Sequence, residues 1–189
     1  MKKRYITSQE LLHDSYSLAA DILQSGFHPT FIVGIWRGGT PIGIAVQEVL
    51  EVCGMQCDHI AVRVSSYQGI NQRSKKVRVH DLSYIIEHIS SDDRLLIVDD
   101  VHDSGLSVEA LIKQIHARCR NNSPNEIKIA TAYFKPSKNK VNYEPDFYVK
   151  QTDEWLVFPH ELNGLNAEEI AEQKPEIGHI RGVLLSYLK

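Results

Sequence analysis

Apolar residues along the chain follow two alternating patterns, which together predict a series of helices and strands. Leu11, Leu18 and Ile22 recur at helical spacing behind Thr7-Ser8-Gln9-Glu10, whose order is that of a capping box, and predict a helix to about residue 24. Residues 31–35 form a short apolar strand. Thr40-Pro41 reads as the start of the next helix, with Pro at its first position, running to about residue 53. Residues 58–64 and 77–79 are strand-like, and the Leu-Leu-Ile-Val run at 95–98 is the buried central strand. Val108, Leu111, Ile112 and Ile115 then return to helical spacing. Strands follow at 127–134, 147–149 and 155–157, and Asn166-Ala167-Glu168-Glu169 is a second capping box, before a helical tail interrupted by Pro175. Strand–helix–strand order with wholly apolar strands predicts an α/β fold, a doubly wound, mainly parallel sheet with flanking helices. Ligands of such sheets bind at the carboxyl ends of the strands.

Composition narrows the class. The 189 residues are expected to form a single domain, 1–189, with a sizeable core. Hydrophobic residues at 42% and charged residues at 24% fit an ordinary globular protein, and a net charge of −3 gives no general attraction to nucleic acid or an anionic membrane. No apolar run approaches membrane-spanning length, and the basic start Met1-Lys2-Lys3-Arg4 leads into polar residues rather than the apolar segment of a signal peptide. Cys53, Cys57 and Cys119 show no metal-ligand spacing with His, and as reduced thiols they point to a cytoplasmic address.

The candidate chemistry lies in Arg94 to Val108, RLLIVDDVHDSGLSV. The strand ends in two carboxylates, Asp99 and Asp100; a small polar loop, 101–107, then opens onto the helix. A Ser/Gly turn feeding a helix start is an anion cradle, with N–H groups converging on one spot and Ser104 and Ser107 adding hydroxyl donors. Adjacent carboxylates would repel a phosphate unless they face hydrogen-bond donors, and the cis hydroxyls of a ribose are such donors. The pattern therefore suggests a clamp for a ribose 5-phosphate. A phospho-receiver domain also carries an acidic pair after such a strand, but near its beginning rather than in mid-chain. A plain surface turn is the commoner origin of any Asp/Gly/Ser cluster.

This stretch resembles the phosphoribosyl diphosphate (PRPP) loop of the type I phosphoribosyltransferases, with Ser104 where Thr is usual. The resemblance implies that Asp99 and Asp100 hold the ribose hydroxyls, while Asp103, Ser104, Gly105, Leu106 and Ser107 wrap the 5′-phosphate. His102, at a position that is usually apolar or small, is expected to be a partly exposed loop residue. Trp36-Arg37-Gly38-Gly39-Thr40-Pro41 is similar to the family's pyrophosphate loop, making Arg37 and Gly38 PRPP-binding residues beside an often cis peptide. Ser66 and Tyr67 resemble the lead of the lid of the 6-oxopurine enzymes, with Arg73, Lys75, Lys76 and Arg78 in the mobile loop that follows.

For the base, the resemblance assigns Lys135 to the purine O6, Trp155 to stacking on the ring and Leu156 to backbone reading of its edge. WLVFPHE at 155–161 looks especially like bacterial xanthine–guanine enzymes, in whose relatives the carboxylate at Glu161 helps bind a second magnesium. A cationic donor at Lys135 favours a 6-oxo group over the 6-amino group of adenine. Human-type relatives carry an Arg soon after that carboxylate; LNGLNAEE supplies none, which leaves Arg37 and the lid cations. The fold implied has a core at about 26–150 and a small hood for the base, built from the N-terminal segment and about 151–189. The implied activity is purine salvage: PRPP and guanine, xanthine or hypoxanthine give a nucleoside 5′-monophosphate and pyrophosphate, with Mg2+ as cofactor and Asp103 as general base. A homodimer or homotetramer is expected. The alternatives are a PRPP- or nucleotide-sensing regulator of the same fold without catalysis, and a transferase for another base.

Overall fold

The computed structural model of the protein describes residues 3–68 and 75–187. In chain order its main elements are β1 (Lys3–Tyr5), α1 (Ser8–Gln24), β2 (Phe31–Trp36), α2 (Gly39–Val52), β3 (Asp58–Gln68), β4 (Lys75–Val79) and α3 (Ser83–His88). There follow β5 (Arg94–His102), α4 (Leu106–Cys119), β6 (Glu126–Phe134), β7 (Phe147–Gln151), β8 (Trp155–Val157), α5 (Ala167–Gln173) and α6 (Arg181–Tyr187). The chain divides into two compact units, one of residues 12–153 and one of 1–11 with 154–189.

The larger unit is the α/β body expected from the pattern. Its sheet has the order β4-β3-β2-β5-β6-β7, and every pairing but β3–β4 is parallel. Leu95, Leu96, Ile97 and Val98 are wholly buried because both faces of β5 are covered. On one face Phe31, Val33, Ile35, Leu95 and Ile97 pack with Ile85 of α3 and Val108, Leu111 and Ile115 of α4. On the other lies α2, which seats Gly43 against Gly34 of β2 and Val98 of β5. Asp14 of α1 is buried, and its charge is met by Lys150 Nζ at 2.8 Å and the Tyr133 hydroxyl at 3.3 Å, which ties α1 to β6 and β7.

In the smaller unit β1 pairs parallel with β8, Arg4 opposite Leu156. Lys3 Nζ and the Tyr5 hydroxyl both donate to Glu169 of α5, at 2.5 and 2.9 Å. The capping box at Asn166 forms with Glu169 in both directions. That at Thr7 forms in one: the Glu10 N–H donates to Thr7 Oγ1 at 3.1 Å, while the Glu10 carboxylate takes Arg4 at 2.8 Å.

Two local expectations are corrected. Gly39 is the first residue of α2, Gly38 its N-cap, and Thr40 supplies no cap; its buried hydroxyl has no hydrogen-bond partner. Lys75, Lys76 and Arg78, expected in a mobile loop, lie in β4, where the backbone at 75–78 pairs with Gln68 to Ser65 of β3.

Candidate active site

The acidic pair lies within a strand rather than at its end. β5 continues to His102, held by β6 through Asp99 opposite Thr131, Val101 opposite Tyr133 and His102 opposite Phe134. The polar loop expected at 101–107 shrinks to Asp103–Gly105, since α4 begins at Leu106. The Asp100 N–H donates to Asp99 Oδ1 at 2.9 Å. Burial, then the neighbouring charge of Asp100, pushes the Asp99 carboxyl well above the usual carboxylate range. Two carboxyls so crowded suit hydroxyl donors or a cation as their third party.

Backbone of the Arg37–Gly39 loop closes directly on this pair. A Cβ on Gly38 would fall 1.8 Å from Asp100 Oδ2, and one on Gly39 would fall 2.1 Å from the Val98 carbonyl. Gly38 has ordinary right-handed angles, φ −67° and ψ −33°, so it is close approach and not backbone freedom that requires glycine there. The Trp36–Arg37 peptide is cis, and the Arg37 side chain is exposed.

The turn after β5 has the donors that an anion could take. Gly105 caps α4 at φ +73°, a left-handed conformation, and its carbonyl accepts the Glu109 N–H at 2.9 Å. A helix start leaves its first N–H groups without intrahelical partners, and at α4 they belong to the turn that carries Ser104 and Ser107. A Cβ on Gly105 would meet Val141 Cγ2 at 2.5 Å and His102 Nε2 at 2.8 Å. His102 is therefore not a partly exposed loop residue. It is 1% exposed, edge-on to Phe134 and Tyr143, with Nε2 3.4 Å from Asn139 Oδ1, and burial lowers its pKa. The imidazole packs under the turn, against Gly105. The 139–143 segment closes over it, with the Lys140 N–H donating to the Ser104 carbonyl at 3.1 Å.

Lys135 extends the β5–β6 ladder by one bond, its N–H donating to the His102 carbonyl at 2.9 Å. The side chain is buried, and Nζ stands 3.4 Å from Oδ2 of the half-exposed Asp103. The structure thus brings Asp99, Asp100, Asp103, Ser104, Gly105, Leu106, Ser107, Gly38 and Lys135 to the carboxyl end of β5 and its neighbours. Ser66 and Tyr67 lie in β3; the lid tip at 69–74, with Arg73, falls outside the described residues.

The other expected residues belong to the smaller unit. Trp155 is 51% exposed and Leu156 is buried. Glu161 Oε2 accepts the Phe158 N–H at 3.0 Å. Among the described residues no group of three or more His, Cys, Asp or Glu is arranged to hold a metal ion, and no helix is long and apolar enough to cross a membrane. Sequence reasoning missed Lys174, which is 2% exposed and joined to this segment; a lysine between a helix end and Pro175 carries no signal of burial.

A doubly wound sheet with an acidic strand, a glycine-capped turn and a second glycine loop against it is an α/β architecture of the class whose ligands bind at the carboxyl ends of the strands. Residues 3–163 match the phosphoribosyl transferase domain model, and the chain belongs to that family. It is 26% identical over 184 residues to a hypoxanthine-guanine phosphoribosyltransferase of Bacillus subtilis, covering 96% of this chain and 94% of the relative. A purine phosphoribosyltransferase from Pyrococcus horikoshii superposes with a TM-score of 0.70 at 27% identity, over 88% of this chain and 98% of that one. A protein from Neisseria gonorrhoeae crystallised with bound ppGpp shares the fold, with a TM-score of 0.73 at 19% identity, over 93% and 97% of the two chains.

Proposed function

We propose that the protein is a cytoplasmic purine salvage enzyme, making a nucleoside 5′-monophosphate and pyrophosphate from PRPP and a 6-oxopurine: guanine, xanthine or hypoxanthine. The observation that carries the base assignment is the Lys135–Asp103 pair. O6 and N7 adjoin on one edge of an oxopurine, and a buried ammonium 3.4 Å from a half-exposed carboxylate offers that edge one donor and one acceptor. The name of the Bacillus subtilis relative agrees with this choice.

Each part then has a task. The N–H groups at 104–107, with the hydroxyls of Ser104 and Ser107, bind the 5′-phosphate. Asp99 and Asp100 accept the ribose hydroxyls, donors that a buried, crowded carboxylate pair lacks. Arg37 and the Gly38 backbone meet the pyrophosphate. Mg2+ entering with PRPP would draw charge off the leaving group, and the acidic pair suits it; Glu161 is the candidate to hold a second ion. As the C1–O bond opens to an oxocarbenium-like centre, N9 of the base attacks and Asp103 accepts the proton at N7. Trp155 stacks on the base, Leu156 reads its edge through the backbone, and Ser66 and Tyr67 lead a lid that excludes water. The exposed Trp36, Ile44 and Val52 support assembly as a homodimer or homotetramer.

The cradle is tested by Ser107→Glu. A carboxylate placed among N–H donors meant for phosphate should abolish PRPP binding measured by calorimetry, with the melting temperature kept because Ser107 is half-buried at a helix start. Undiminished affinity would remove the phosphate from this turn.

A further inference from the structure

Lys174 has no part in the chemistry above, yet it sits under the segment assigned to the base. It follows α5, is 2% exposed, and its Nζ donates to the Phe158 carbonyl at 2.5 Å. The same carbonyl accepts the Glu161 N–H at 3.0 Å, and the Phe158 N–H donates to Glu161 Oε2 at 3.0 Å. Both peptide groups of Phe158 are thereby fixed. Its ring, itself 2% exposed, stacks on His160 at 5.7 Å and 10°. Residues 158–161 form a tight turn that directly continues β8, the strand of Trp155 and Leu156.

Burial lowers the pKa of Lys174, opposed by the charges of Glu176 and Glu161. An apolar side chain would fill the same space without desolvating an ammonium. What the ammonium adds is a charged hydrogen bond to one carbonyl, and that carbonyl belongs to the end of the base-reading strand.

We propose that Lys174 is a positioning residue for purine recognition. Through the Phe158 carbonyl it sets the turn 158–161, and through that turn the backbone of Leu156 and the ring of Trp155. The proposal rests on the purine-binding role given above to this segment.

Steady-state kinetics of the full chain and of Lys174→Met and Lys174→Gln, with guanine and with hypoxanthine, separate positioning from bulk stability. Lys174→Met should raise KM for the base about tenfold, with KM for PRPP and kcat at saturating base changing less than about threefold. Lys174→Gln, which can still donate to a carbonyl, should recover part of the loss. Should Lys174→Met fail to fold, Lys174→Gln should show the same selective rise to a smaller extent. An unchanged base KM in a folded variant, a common rise in the KM values of base and PRPP, or a failure of both variants to fold would each overturn the proposal. Wild-type protein that converts no purine would overturn the proposed function itself, and the positioning role with it.

Discussion

Asp103→Asn should lower turnover about 10²- to 10⁴-fold, the usual span of a general base, while PRPP affinity changes far less. The substitution keeps the size of a half-exposed side chain and its reach toward the base, and removes only basicity and charge. Asp103 is the acceptor that lies 3.4 Å from the Lys135 ammonium, outside the crowded Asp99–Asp100 pair, so its loss should spare the ribose contacts. Lys135 is buried, so the carbonyl oxygen that Asn keeps at 103 is needed to leave its ammonium with an acceptor and limit the cost in stability. Rapid-mix turnover beside PRPP calorimetry checks the split. A turnover within about twofold of wild type would make Asp103 structural.

Lys135→Ala should cut kcat/KM for guanine or hypoxanthine about 10- to 150-fold, the worth of one charged hydrogen bond, with PRPP binding little changed. The effect should depend on the base. Lys135→Asp, which offers an acceptor, should lose oxopurines further and admit traces of adenine, whose 6-amino group donates. Because Lys135 and Asp103 form one pair, the double variant should lose less than the sum of the single losses. The comparison to make is kcat/KM for each base in wild type and both Lys135 variants. A fall by one common factor for every base would mean that Lys135 does not read the 6-position.

How far the sequence could be read depends on the range of the forces involved. Leu95 to Val98 were legible because a strand buried on both faces is apolar throughout, and Ile129 to Phe134 because Thr131 alone interrupts such a run. The end of β5 was not: Asp99 to His102 are held extended by pairing with β6, and polar residues there read locally as loop. β1 escaped notice for the same reason, since Lys3-Arg4-Tyr5 has no strand signature and its partner is the distant Trp155–Val157. α3, of six residues, is too short for helical spacing to show. In the site, residue types were legible where they carry chemistry, as with the acidic pair, the Ser/Gly turn and the lysine at a strand end. Contacts between those pieces were not. Glycine at 38 and 39 could be noticed, but not that Asp100 and Val98 press on them. His102 looked like a loop residue because its burial comes from Phe134, Asn139 and Tyr143, which follow it by more than thirty residues.

The central claim is tested most directly by incubating the purified protein with PRPP and Mg2+ and, in turn, guanine, xanthine, hypoxanthine, adenine, uracil and orotate, and following nucleotide and pyrophosphate by chromatography. The account predicts stoichiometric nucleoside 5′-monophosphate and pyrophosphate from at least one of the three 6-oxopurines, and none from the other bases. Product only from adenine, uracil or orotate would contradict the reading of Lys135, and PRPP binding without product from any base would contradict the assignment as an enzyme.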